Sequence, residues 1–156
     1  MEVNKIISHA LQSMPPSKRQ KAFAKDTSKL IHMGLNENNY GMSPKAVAAL
    51  EDSMAGSHFY PDFAAVLLKQ KVAEQYGLKA ENVLTGAGSS AMIDMIGLTF
   101  LDEGDEVLFS APTYGAFADM AYLNGGVPVS VPVTEEQKFN LPAMKEQIGE
   151  KTKIGV

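Results

Sequence analysis

The sequence predicts an α/β chain: an N-terminal helical arm, then part of a mostly parallel sheet flanked by helices. Three observations carry that expectation. From Asn82 onward short β-rich runs alternate with helical ones. Glycine-marked turns at Gly104-Asp105, Gly125-Gly126 and Gly149 separate them, and ahead of Asn82 the readable pattern is helical, with caps. Alternation at this pitch argues an open parallel sheet with helices on its faces and right-handed connections.

Taken in order, Val3 to Met14 places Ile6, Ile7, Ala10, Leu11 and Met14 on one helical face, and Pro15-Pro16 stops it. The basic stretch Ser17 to Lys29 reads as a peripheral linker or arm. Ser43-Pro44 is a cap followed by a first-turn proline, opening a helix that runs to about Met54 before Gly56 breaks it. Asp62 is expected to cap a helix from Phe63 to Tyr76, with Ala64, Leu67, Leu68, Val72 and Tyr76 on one face and Gly77 as its left-handed terminator. Then come a strand at Val83 to Thr85, a helix at Ser89 to Leu101, a strand at Glu106 to Phe109 and a helix at Tyr114 to Leu123. A strand at Val127 to Val133, a helix at Leu141 to Ile148 and a final strand at Lys153 to Val156 complete the series. That last run reads as the opening of a buried strand with no turn or covering helix after it, as in a sequence cut short.

Composition narrows the partners. With 156 residues, 45 % of them apolar, the chain can bury one ordinary core. A net charge of -4 without long like-sign runs gives no footprint for nucleic acid or an anionic membrane, so small molecules are the expected ligands. The longest apolar run, Phe63 to Leu68, is far below the roughly 18 residues that span a bilayer, and there is no signal-peptide pattern. Zero cysteines exclude disulfides, thiolate metal sites and a Cys nucleophile, which suits the cytoplasm. His9, His32 and His58 lack metal-ligand spacing, so no metal is expected.

Chemistry concentrates in two successive loops at the carboxyl ends of predicted strands, where parallel sheets bind ligands. In the first, Gly86 and Gly88 permit close backbone approach, and the amides of Ser89, Ser90 and Ala91 meet the positive end of a helix dipole, an arrangement suited to phosphate. The same residues also suit a plain tight turn with a serine cap. As a GxGxxA dinucleotide fingerprint they fail, because the next strand ends Phe109-Ser110-Ala111-Pro112 with no acid for a ribose. In the second loop, Pro112-Thr113-Tyr114-Gly115, the tyrosine can lay its ring on a flat ligand or pack on the sheet.

Four islands between Leu35 and Tyr114 then match a family in order and spacing. They are Leu35-Asn36-Glu37-Asn38-Asn39-Tyr40-Gly41 with Ser43-Pro44, Tyr60-Pro61, Asn82-Val83-Leu84 through Gly88-Ser89-Ser90, and Gly104-Asp105-Glu106-Val107 through Pro112-Thr113-Tyr114. Together they resemble the class I/II, fold-type I aminotransferases that use pyridoxal 5'-phosphate, most of all the histidinol-phosphate aminotransferase-like branch. The resemblance implies an incomplete fold-type I large domain. It implies that Gly88, Ser89 and Ser90 hold the cofactor phosphate and that Tyr114 stacks on the pyridine ring. It further implies that Tyr60 reaches the phosphate of a neighbouring subunit's cofactor in a homodimer, and that Asn36, Glu37, Asn38 and Tyr40 line the substrate side. The implied organisation is an N-terminal helix and arm over 1–34, a substrate-side loop with helices over 35–80, and the first part of the cofactor-binding domain over 81–156.

Asn39 stands where the branch usually has proline, and Ser90-Ala91 where it commonly has Asp-Glu. The substrate therefore stays open between histidinol phosphate, an aromatic amino acid and others. The family's Schiff-base lysine and its pyridine-nitrogen aspartate lie beyond an asparagine-proline turn that would follow Val156, and no lysine here maps to that position. The resemblance thus implies the N-terminal portion of an enzyme exchanging an amino group between an amino acid and a 2-oxo acid, inactive alone and prone to pair through an open sheet edge. The rival expectation is a free-standing α/β module that binds a phosphorylated metabolite.

Overall fold

The computed structural model describes residues 7–15, 31, 33–34 and 36–156. The arm over Ser17 to Lys29, Leu35, His32 and the start of the first predicted helix lie outside the described residues. The chain divides into two units, Ser17–Val83 on one hand and Met1–Pro16 with Leu84–Val156 on the other.

In the Ser17–Val83 unit, α2 (Pro44–Ser53) begins as its sequence requires, with proline in the first turn and Ser43 Oγ accepting from the Ala46 amide at 3.2 Å. A short 3-10 turn, Met54–Gly56, ends it. Helix α3 (Val66–Tyr76) starts three residues later than predicted. Asp62 spends its carboxylate on two amides, Ala64 at 3.0 Å and Val66 at 2.7 Å, and Ala65 sits left-handed at φ 49°. A residue in that conformation cannot belong to a right-handed helix, so the first turn forms only after it. Gly77 terminates α3 at φ 65°, as expected, and the Leu78 amide returns to the Ala73 carbonyl at 2.9 Å. The predicted apolar face is not a buried one here: Leu67 is 77 % exposed, Leu68 and Tyr76 are also exposed, and Ala73 is the residue of α3 that is buried.

The other unit opens with α1 (His9–Ser13), capped by Ser8 and lying against α5 (Ala116–Leu123). Three parallel strands follow, β1 (Glu106–Ala111), β2 (Val127–Pro132) and β3 (Thr152–Gly155), in the order β2-β1-β3. Strand β1 runs two residues past its predicted end, pairing with β2 from Glu106↔Val127 to Ala111↔Pro132. As the middle strand of a parallel sheet it is buried on both faces, from Val107 through Ser110. By strand alternation Val107 and Phe109 share a face, where Leu101, Met120 and Ala121 close over them and Ile93, Phe117 and Ile154 pack around the rim. Leu101, Val107, Phe109 and Met120, withdrawn from water, each contribute roughly 1.5–3 kcal/mol before entropy is counted. Helices α4 (Gly88–Phe100) and α5 form this layer, while α6 (Leu141–Gln147) also packs on β1.

On the other side, the β1–β3 pairing contains an extra residue. Glu106 faces Thr152 but Val107 faces Ile154, so Lys153 bulges outward, its ammonium 3.5 Å from the Asp105 carboxylate.

One predicted strand is missing. Val83 has extended dihedrals (φ -109°, ψ 122°), but Val83 to Thr85 forms no ladder, because no described strand lies beside it to accept its hydrogen bonds. Among the described residues the α/β alternation is therefore observed with three strands rather than the four that the sequence pattern suggested.

Candidate cofactor-phosphate site

Helix α4 begins at an unusual corner. Ala87 lies at φ -77°, ψ 69°, the centre of an inverse γ-turn closed by the Gly88 amide donating to the Gly86 carbonyl at 2.9 Å. Gly88 then takes φ 79°, which only glycine adopts at little cost, and the chain turns straight into the helix. No side chain caps this start. The amides of Ser89 and Ser90 fall in the first turn, where a helix has no carbonyl of its own to offer, and the dipole's positive end lies with them. Neither serine serves as the cap that the sequence left open as an alternative.

The Ser90 hydroxyl instead meets the Tyr114 hydroxyl at 2.9 Å, across 24 residues of chain. The loop after β1 thereby meets the start of α4 beyond the carboxyl end of β1. The Tyr114 ring lies perpendicular to that of Phe117, with centroids 6.2 Å apart and an interplanar angle of 87°, and is 47 % exposed. It is available to a flat ligand rather than sealed onto the sheet.

Of the sequence-predicted site residues, Gly88, Ser89, Ser90 and Tyr114 lie together in this unit. Tyr60 and the Asn36 to Tyr40 segment belong to the Ser17–Val83 unit. Tyr60 is 87 % exposed, its ring 5.6 Å from that of Phe63. Asn38 organises its own turn, accepting from the Tyr40 amide at 3.1 Å and donating to the Gly41 carbonyl at 2.8 Å, while Asn36 is left-handed at φ 52°.

Sequence reasoning missed Ser110, because it ended β1 two residues too early, at Phe109. Ser110 is 2 % exposed, and its hydroxyl has no hydrogen-bond partner among the described residues. It lines a cavity of about 370 Å³ with Pro112, Thr113, Val133 and Phe139. The signal available was a lone serine inside the run Glu106 to Ala111. No group of three or more His, Asp or Glu residues with metal-binding arrangement occurs among the described residues. No helix among them is long and apolar enough to cross a membrane.

Comparison with known proteins adds the context. The family model described as aminotransferase class I and II matches residues 28–156. Histidinol-phosphate aminotransferase 2 of Carboxydothermus hydrogenoformans is 31 % identical over 119 residues, covering 76 % of this chain and 33 % of that protein. The aromatic amino acid aminotransferase of Corynebacterium glutamicum strain R is 34 % identical over 119 residues, covering 76 % and 35 %. Among solved structures, histidinol-phosphate aminotransferase of Sinorhizobium meliloti in complex with pyridoxal-5'-phosphate superposes with a TM-score of 0.70 at 24 % identity, over 76 % of this chain and 32 % of that one. The chain spans about a third of the length of the curated relatives it matches. Its three-stranded sheet and helices match part of the fold-type I aminotransferase architecture.

Proposed function

Because this chain belongs to the class I and II aminotransferase family, we propose that it forms the cofactor-phosphate side of an enzyme that moves an amino group between an amino acid and a 2-oxo acid, with pyridoxal 5'-phosphate as cofactor. The observation that supports this most is the uncapped start of α4 beside a half-exposed tyrosine: the Ser89 and Ser90 amides suit a dianion, and Tyr114 suits a flat ring next to it. The residues present therefore fit the group.

In this reading the chain's own part is binding and orientation. The Ser89 and Ser90 amides grip the phosphate through fixed dipoles that need no reorganisation, and Gly88 lets the backbone approach closely. Tyr114 limits the tilt of the ring. When bound, the cofactor supplies an electron-withdrawing ring able to take up the electron pair released at the substrate's α-carbon. No residue of this chain is assigned to the reacting bonds. The names of the relatives support histidinol phosphate or an aromatic amino acid as amino donor, with Asn36, Glu37, Asn38 and Tyr40 on its side. We read the assembly as a homodimer in which Tyr60 reaches the neighbouring subunit's cofactor, on the strength of the exposed Phe59, Tyr60 and Phe63 rings. The cytoplasmic setting rests on the absence of cysteine.

The test is amide NMR on the chain titrated with pyridoxamine 5'-phosphate, which has no aldehyde to condense with surface lysines. Shifts centred on Ser89, Ser90 and the Tyr114 ring are expected. Shifts elsewhere, or none, overturn the assignment. A response to inorganic phosphate without one to pyridoxamine 5'-phosphate favours instead a module for some other phosphorylated metabolite.

A further inference from the structure

The hydrogen bond between Ser90 and Tyr114 has a use beyond holding two loops together. A tyrosine at a loop tip turns about two side-chain torsions, and among the described residues its ring has one aromatic contact, Phe117, lying perpendicular to it. That contact takes at most one face of the half-exposed ring and fixes its tilt weakly. The Ser90 hydroxyl, 2.9 Å from the phenol oxygen, is the second point that sets the ring's height and angle. Ser90 also carries an amide in the open first turn of α4. One residue thus faces a phosphate with its backbone and an aromatic ring with its side chain.

The proton count sharpens this. Two hydroxyls carry two protons, and their mutual bond consumes one. If the phenol donates to Ser90, the serine's own proton is left for an acceptor beside its amide, and bonds in such a chain strengthen one another. A neutral pair does this without placing a negative charge near a dianion, as an aspartate at position 90 would.

We propose that Ser90 is a positioning residue for Tyr114: its hydroxyl holds the ring in the attitude that accepts the cofactor's ring, and through it phosphate capture and ring stacking reinforce each other. This rests on the cofactor reading above. It assigns Ser90 a side-chain task that is separate from the backbone grip.

A double-mutant cycle tests it, using Ser90→Ala, Tyr114→Phe, the pair together and Ser90→Thr, with inorganic phosphate and pyridoxamine 5'-phosphate as probes followed by NMR. Each single change is expected to weaken pyridoxamine 5'-phosphate by about threefold to tenfold, the double change no more than either alone, and Ser90→Thr to restore affinity. Tyr114→Phe should leave inorganic phosphate within about twofold. Multiplying effects in the double variant, or an indifferent Tyr114→Phe, would overturn the proposal while leaving the cofactor site standing. Should the unaltered chain bind neither probe, the cofactor reading fails. The positioning claim is then decided by the Tyr114 Hα–Hβ couplings, which must change from one rotamer to an average in Ser90→Ala, and which, if unchanged, refute it.

Discussion

Gly97 of α4 faces Met120 of α5 with no room for a methyl group between them: a Cβ on the glycine would lie 2.6 Å from Met120 Cγ and 2.5 Å from Asn124 Nδ2. Met120 is 1 % exposed, and the Asn124 amide already donates to the Met120 carbonyl at 2.8 Å, so neither neighbour has somewhere to go. Gly97→Ala is expected to destabilise by ~1–3 kcal/mol through overpacking, even though alanine is the better helix former by up to ~1 kcal/mol. A fall in the urea midpoint by circular dichroism checks this, and a rise would mean that α4 and α5 do not meet so closely.

Ser110 gives the opposite sign. Its hydroxyl is buried without a partner among the described residues, so its desolvation is uncompensated. Ser110→Ala should therefore be neutral or stabilising by up to ~1 kcal/mol. A loss of ~1 kcal/mol or more in the same urea experiment would show that the hydroxyl has found a partner in solution.

Gly88 ties stability to binding. At φ 79°, with nothing within 4 Å of where a methyl group would stand, the position has space for a side chain but not the conformation for one. Gly88→Ala is expected to cost ~1–2 kcal/mol. It should also redirect the Ser89 and Ser90 amides, so the NMR response to inorganic phosphate shrinks more than the stability loss alone accounts for. Unchanged shifts would refute that link.

Asp62 is the fourth case. Its carboxylate accepts from both Ala64 and Val66, so Asp62→Ala should cost ~0.5–2 kcal/mol and reduce helix content in α3, with Asp62→Asn recovering part of the loss. Equal helicity in all three chains would contradict the role.

These residues also mark how far the sequence could be read. Caps and terminators are local chemistry, so Ser43, Pro44 and Gly77 appear where the pattern put them. Asp62 is legible as the initiating residue, but a side chain that binds the amides of both Ala64 and Val66 delays the helix, and spacing alone does not reveal the left-handed Ala65 between them. The strand at Val83 to Thr85 failed for the reverse reason, since a strand needs a neighbour and periodicity contains none. Likewise Leu67, Leu68 and Tyr76 share a face without being buried. The meeting of Ser90 and Tyr114 was legible as two loops at one end of a sheet. The direct bond between their hydroxyls was not, because it depends on where α4 and α5 come to rest.

Finally, the displaced lysine on β3 has a bearing on how this chain behaves in company. Had the strand continued in strict step, Lys153 would stand opposite Val107 and Ile154 would be carried to the wrong side of the sheet. The skipped beat keeps the isoleucine among its apolar neighbours and leaves a cation at the rim, where an approaching chain would need a straight row of free amides and carbonyls. The open edge alone predicts pairing between copies, and the bulge is expected to oppose it. Sedimentation of Lys153→Val beside the unaltered chain, with more self-association in the variant, is the measure of that protection.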